Sequence, residues 1–212
     1  MTRGRFIALE GGEGAGKSTQ ARLLAEALDA RGIEVVATRE PGGTPGAERI
    51  RALLLETAGD GWNPRAEALL FAAARSDHVE RLIRPALDRG AWVVCDRYLD
   101  SSRAYQGGGG SLADSDILVL HEIGSEGLLP DCTLLFEVSP MAAAHRLAAR
   151  DGGVSDRIGG RDADYHARVS ATFAAIAGAE PHRYVRIDAD AAADIVHADV
   201  MAALAPLLAD PG

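Results

Sequence analysis

The chain has 212 residues, with 22 basic and 31 acidic side chains giving a formal charge of −9, and 47% of its residues are hydrophobic. This acidic balance offers no basic stripe to displace counterions from nucleic-acid phosphates, which argues against a nucleic-acid partner. No run of 18 apolar residues exists to span a membrane, and a polar, glycine-rich stretch begins by Gly11, too early for a signal-peptide core. Length and hydrophobic content fit one cytoplasmic domain, residues 1–212. Cys95 and Cys132 lie in apolar runs without metal-ligand spacing and read as reduced, buried fillers. Of the 22 basic residues only Lys17 is a lysine; the other 21 are arginines.

In chain order, short β-rich runs are expected at residues 6–10, 34–38, 91–96, 133–138 and 183–188. Their apolar positions are nearly continuous (Val93-Val94-Cys95, Leu134-Leu135-Phe136), as in parallel strands buried on both faces. Helical spacing fills the intervals. Residues 18–31 put Leu23, Leu24, Ala27 and Leu28 on one side. Residues 65–89 carry Leu69, Leu70, Ala73, Leu82, Ile83 and Leu87, with Pro85 as a kink or break. Residues 140–150 begin with Pro140 at a first helical position, and 163–177 and 192–208 complete the series. The alternation predicts an α/β sheet with helices on both faces. Two glycine-rich interruptions, 107–110 and 151–162, read as mobile loops of the kind that serve as lids.

Residues 11–18, GGEGAGKS, match G-x-x-x-x-G-K-[ST] with a strand expected before and a helix after. In that pattern Gly11, Gly12, Glu13, Gly14, Ala15 and Gly16 turn backbone N–H groups toward the phosphates of ATP. Lys17 reaches the β- and γ-phosphates, Ser18 offers a hydroxyl to Mg²⁺, and Thr19 completes the ATP-binding set. A chain that uses arginine everywhere else keeps a compact ammonium at the one place where a planar guanidinium is too wide. A GTPase of the usual form is excluded, because no second lysine exists for a base-reading N-K-x-D motif.

Asp96 closes the third β-rich run, where an acid that organises Mg²⁺ beside Ser18 belongs; the lesser alternative by pattern is a cap on the next turn. Arg97 follows it, either as a phosphate clamp or as half of a solvated ion pair. Glu13 is odd, since a carboxylate in a phosphate loop repels the ligand. It either faces solvent or points to a hydroxyl of a second substrate.

EGGEGAGKSTQ, TREPGGT (38–44), LFAAAR (70–75), DRYLDSSRAYQGGG (96–109) and GLLPDCTLLFEV (127–138) occur in the order and spacing of bacterial thymidylate kinases, and the chain resembles that family from residue 6 to about 161. The resemblance implies a P-loop kinase with a five-stranded, mostly parallel sheet and an arginine-bearing lid at about 150–162. It further implies Mg²⁺-dependent transfer of the γ-phosphoryl group of ATP to dTMP in a homodimer. By the same resemblance Phe71 stacks on thymine and Arg75 donates to a base carbonyl; four residues apart, they share a helix face. Periodicity alone would make Phe71 ordinary core. Ser102 lies near the pyrimidine edge, Tyr105 beneath the deoxyribose with Gln106 beside it, and Arg97 and Arg51 on the dTMP phosphate. Glu13 matches the acid at the sugar 3′-hydroxyl. Where some members carry a P-loop arginine this chain has Gly14, so transition-state charge is expected from Arg150, Arg157 or Arg161 of the lid. A lid carboxylate common in the family is replaced by Gly159. Adenine is expected near residues 188–192.

Overall fold

The computed structural model describes residues 3–55, 61–151 and 157–209, without the side chains of Arg150 and Asp151. Five strands form one sheet: β1 (Phe6–Gly11), β2 (Val35–Arg39), β3 (Trp92–Asp96), β4 (Cys132–Glu137) and β5 (Tyr184–Asp188), in the order β2-β3-β1-β4-β5. Each pairing is parallel, where the sequence reading expected only a mostly parallel sheet. Each strand lies within a residue or two of its expected span. Central β1 runs beside β3 on one edge (Ile7 opposite Val94) and β4 on the other (Ile7 opposite Cys132). The connection after β1 runs to β2 on one side, whereas the connection after β3 crosses to β4 on the other, which opens a crevice at the carboxyl ends of the strands.

Alternation along the strands divides the core into layers. Ile7, Leu9, Val94, Leu134 and Phe136 face α1 (Lys17–Asp29) and α9 (Ala193–Ala209), meeting Leu24, Leu28, Val196, Val200 and Leu204. Phe6, Ala8, Val93 and Cys95 face the opposite way, toward Ile83, Leu87, Tyr98 and Ile117. Burying each such aliphatic side chain is worth roughly 1.5–3 kcal/mol, so both faces must be covered, as the nearly continuous apolar runs require. A third layer packs Leu135 and Tyr184 with Val169, Phe173 and Ile176 of α8 (Ala163–Ala179).

The helix expected over 65–89 is interrupted. α3 (Pro64–His78) passes into a π-helical stretch, Val79–Ile83, before α4 (Arg84–Asp88), and Arg84 N–H donates to Val79 O rather than to a carbonyl four residues back. The wider turn accommodates Pro85, which has no N–H to continue an α-helical ladder. A second π-helical stretch, Arg103–Gly108, follows the short α5 (Leu99–Ser102). It corrects the expected mobile loop at 107–110. Gly107 and Gly109 are buried, and a Cβ on Gly109 would lie 2.7 Å from Tyr165 of α8, so close packing rather than mobility demands the glycine there. Two more helices, α2 (Pro45–Leu55) and α6 (Asp114–Ser125), are not among the expected elements, while α7 (Pro140–Asp151) starts at the expected proline. Residues 152–156 of the expected lid lie outside the described residues.

Candidate active site

At the carboxyl ends of the strands lies a cavity of about 610 Å³, floored by the loop between β1 and α1 and walled by α2, α3, α5 and α7. Its size suits small-molecule substrates. Gly14 and Gly16 have φ of 73° and 86°, and Gly16 caps α1 without a side-chain hydrogen bond, leaving the first backbone N–H groups of the helix directed into the loop. A Cβ at Gly14 would sit 2.8 Å from the carbonyl oxygen of Ala143 on α7, so that wall excludes a side chain at the P-loop position where an arginine is absent.

Lys17 is 6% exposed, and its Nζ donates to the carbonyls of Gly11 (3.0 Å) and Gly12 (2.7 Å). Burial, aided by the nearby Arg97, lowers its pKa to about 8. The ammonium is thus dehydrated and held by carbonyl oxygens alone among the described residues, next to a cradle suited to polyphosphate. Ser18 Oγ donates to Asp96 Oδ2 at 2.5 Å, joining the start of α1 to the end of β3. Asp96 Oδ1 is buried without a protein partner among the described residues. A hydroxyl, a carboxylate and an unpartnered carboxylate oxygen are oxygen donors that fit Mg²⁺, a cation that takes one or two protein ligands and completes its shell with phosphate and water. No group of three acidic, His or Cys side chains able to cage a metal exists among the described residues.

The other end of the cavity is made of side chains. Arg97 has φ of 70°, a left-handed conformation unusual for a residue with a Cβ, held by its N–H to Leu9 O and by the following Tyr98 N–H to Glu10. The twist turns its guanidinium back to Glu13 Oε1 at 2.6 Å, to Gly11 O at 3.1 Å and over the ring of Tyr105 at 5.0 Å. Tyr105 Oη also reaches Glu13 Oε1, at 3.5 Å. Glu13, Arg97 and Tyr105, 92 residues apart at the extremes, therefore form one cluster. Burial pushes the Tyr105 hydroxyl up to about 12, so it stays a neutral donor.

Arg75, 3% exposed on α3, donates to Glu40 Oε2 (2.8 Å), Ser102 Oγ (2.8 Å) and Tyr98 O (3.2 Å). Its Nη1 has no protein partner among the described residues. Burial would raise the Glu40 carboxyl, but the Arg75 guanidinium and a hydrogen bond from His78 hold it below its usual value. Phe71, one helical turn before Arg75, lines the same cavity half-buried, and Arg51 of α2 lines it too while donating to Pro41 O at 2.8 Å. Gln106 lines it from the second π-helical stretch. Phe71, Arg75, Arg97, Ser102, Tyr105 and Gln106, picked from separate motifs, thus share one cavity with residues 13–19 of the P-loop.

Two of the lid arginines do not join them. Arg157 donates to Leu54 O (3.2 Å) and Glu67 Oε2 (3.2 Å), and Arg161 donates to Glu67 Oε2 at 2.7 Å; neither lines the cavity. The side chain of Arg150 lies outside the described residues. The arginine on the donor side is instead Arg146, one turn after Ala143, whose guanidinium approaches Gly14 O (3.5 Å) and the carbonyls of Asp190 and Ala191 (both 3.3 Å). The sequence reading passed over Arg146, which sits in a helix without motif, and over Glu67, which as an acid in the first turn of α3 looks like ordinary complement to the helix dipole. Glu40, inside the TREPGGT motif, was given no role of its own; its neighbour Pro41 follows a cis peptide.

A family model described as thymidylate kinase matches residues 9–200. The chain is 59% identical to the thymidylate kinase of Rhizorhabdus wittichii over 205 residues, covering 97% of this chain and 99% of that one. It is 50% identical to the thymidylate kinase of Caulobacter vibrioides over 200 residues, covering 94% and 95%. The crystal structure of thymidylate kinase from Ehrlichia chaffeensis superimposes with a TM-score of 0.78 at 33% identity, over 95% of this chain and 99% of that one.

Proposed function

The chain belongs to the thymidylate kinase family, and from that premise we propose that it moves the γ-phosphoryl group of ATP to the phosphate of dTMP, giving dTDP and ADP. The observation that carries the reading is one cavity in which a P-loop with a buried lysine faces a pocket of arginines, an aromatic ring and a sugar-side carboxylate. A phosphate oxygen of dTMP attacks the γ-phosphorus as the bond to the β–γ bridging oxygen breaks, and ADP carries away that oxygen's electron pair. The chain's task is positioning and charge. Gly11–Ser18 N–H groups and Lys17 hold the β- and γ-phosphates, while Arg97, turned inward by its backbone, meets the acceptor phosphate with Arg51. Glu13 and Tyr105 take the deoxyribose, Glu13 accepting from its 3′-hydroxyl, and Phe71, Arg75, Ser102 and Gln106 take the base. Ser18 and Asp96 would hold Mg²⁺, which when bound neutralises charge on the β- and γ-oxygens. Adenine is assigned to the end near residues 188–192, a reading supported by Arg146 reaching the carbonyls of Asp190 and Ala191 there. Arg150 and Arg157 remain candidates for transition-state charge, and Arg157 would have to leave Glu67 to supply it.

The same reading makes the enzyme a cytoplasmic homodimer built from one domain. No described helix is long and apolar enough to cross a membrane. Exposed Leu69 on α3 and Leu118, Val119 and Ile123 on α6 support a dimer face, since these helices pack together with Gly124 against Ala72 and Ser76. An ADP-release assay with ATP, Mg²⁺ and a panel of nucleoside monophosphates tests the activity. dTMP is expected to be best, dUMP weaker for want of the 5-methyl contact, and purine monophosphates inactive. Equal rates across the panel, or turnover with CMP alone, would sink the reading.

A further inference from the structure

Glu67 has no part in the chemistry described above, yet its carboxylate is 3% exposed and three side chains converge on it. Gln106 Nε2 donates to Oε1 at 3.0 Å, Arg157 Nη2 to Oε2 at 3.2 Å, and Arg161 Nη2 to both oxygens at 3.0 and 2.7 Å. A carboxylate set between two guanidiniums accepts hydrogen bonds and donates none. Gln106 must therefore keep its NH₂ end on Glu67. Its carbonyl end, without a protein partner among the described residues, is left to the cavity that Gln106 lines.

That orientation has a chemical consequence. Arg75 lines the same cavity and can only donate, because a guanidinium does not lose its proton. The polar edge of the acceptor pocket is thus a donor from Arg75 together with an acceptor from Gln106. Thymine and uracil present the complement, a ring carbonyl beside an imino N–H. Cytosine presents the reverse, an amino group beside a bare ring nitrogen, so that donor meets donor and acceptor meets acceptor. We propose that Glu67 is a positioning residue that locks the Gln106 amide carbonyl toward the base, and that through it the lid arginines Arg157 and Arg161 take part in selecting a pyrimidine with an imino N–H. The inference rests on the dTMP kinase reading and adds to it the residue that fixes the Gln106 amide. A site built to use a hydrogen-bonding group rejects the wrong partner strongly, because its buried polar groups are then left unmatched.

The test is Glu67→Gln, nearly isosteric with the native residue but able to donate as well as accept, which frees the Gln106 amide to turn. The measurement is kcat/KM for dTMP and for dCMP, each at saturating ATP, with thermal unfolding followed by circular dichroism. The dTMP-to-dCMP ratio is expected to fall about tenfold, chiefly through KM. Glu67→Asp keeps an acceptor-only group and is expected to hold the ratio within threefold of the native enzyme, even as kcat declines. If Glu67 merely supported the fold, Glu67→Gln would slow both nucleotides together and leave the ratio unchanged, and that result overturns the proposal. Loss of the ratio in Glu67→Asp to the same extent as in Glu67→Gln overturns it as well. A native enzyme with no preference for dTMP would instead reject the activity reading, an outcome read from the native protein alone.

Discussion

The two ends of the cavity handle charge in opposite ways. At the donor end the site is backbone: glycine-permitted turns, the N-terminus of α1, and one lysine bonded to the carbonyls of Gly11 and Gly12. At the acceptor end it is side chain, and the cations come already matched: Arg97 with Glu13 at 2.6 Å and Arg75 with Glu40 at 2.8 Å, while Arg157 and Arg161 are held on Glu67 outside the cavity lining. A polyphosphate brings enough charge to repay an unmatched ammonium. A nucleoside monophosphate must instead be read by shape and hydrogen-bond polarity, which demands arginines fixed in one orientation. Pairing supplies that orientation, and it makes each partner costly to remove, because the survivor is left buried and charged.

The widest break in this contrast is Lys17→Ala. It should lower kcat about 10³-fold, on the scale seen when a preorganised charge is removed from a reacting group, while the circular-dichroism melt shifts by little, since burial already disfavours the ammonium. Turnover near the native level would show that the phosphate charge resides elsewhere. At the acceptor end Arg75→Ala should behave differently, costing about 3 kcal/mol of stability in urea unfolding because Glu40 loses its partner, and raising KM for dTMP far more than for ATP. Native stability in that variant would contradict the matching argument.

Glu10, beneath both ends, gives a pH-dependent comparison. It is fully buried, accepting from Tyr98 N–H (2.8 Å), Ser101 N–H (3.0 Å) and Ser101 Oγ (2.6 Å), and so pins the turn that carries Arg97. Burial, with Asp100 nearby, raises its pKa from 4.5 to about 7. The folded chain therefore holds this proton at a pH where the unfolded chain has lost it, and stability declines as pH rises between those values. Relative to Glu10→Gln, the native protein should lose about 2–3 kcal/mol between pH 4.5 and 8. A constant difference across that range in paired melts would remove the buried carboxyl from the balance. The smallest effect expected is from Arg146→Ala, about a tenfold rise in KM for ATP, or ~1.4 kcal/mol, with KM for dTMP within twofold. Equal rises for both substrates would deny that Arg146 belongs to the donor end.

Wherever a contiguous stretch dictates its own backbone, the chain was legible in advance. The apolar runs of β1, β3 and β4 announce buried parallel strands, the P-loop glycines announce their turns, and Phe71 and Arg75 share a face because one helical turn separates them. Even the single lysine among 22 basic residues finds its reason locally, in a loop that admits an ammonium and no fork. What only the tertiary structure decided is which charges meet. Arg157 lies 90 residues from Glu67 and Arg183 lies 83 from Asp100, to which it donates at 2.7 Å in the buried interior. Such pairs depend on the strand order β2-β3-β1-β4-β5, which brings distant segments to one edge and leaves no periodic trace in any of them. For the same reason Arg157 and Arg161, read from sequence as sources of transition-state charge, are found on Glu67, and Arg146 lies against the P-loop. Sequence proximity sets backbone shape, whereas the partner of a long, flexible, charged side chain is chosen by the fold that surrounds it.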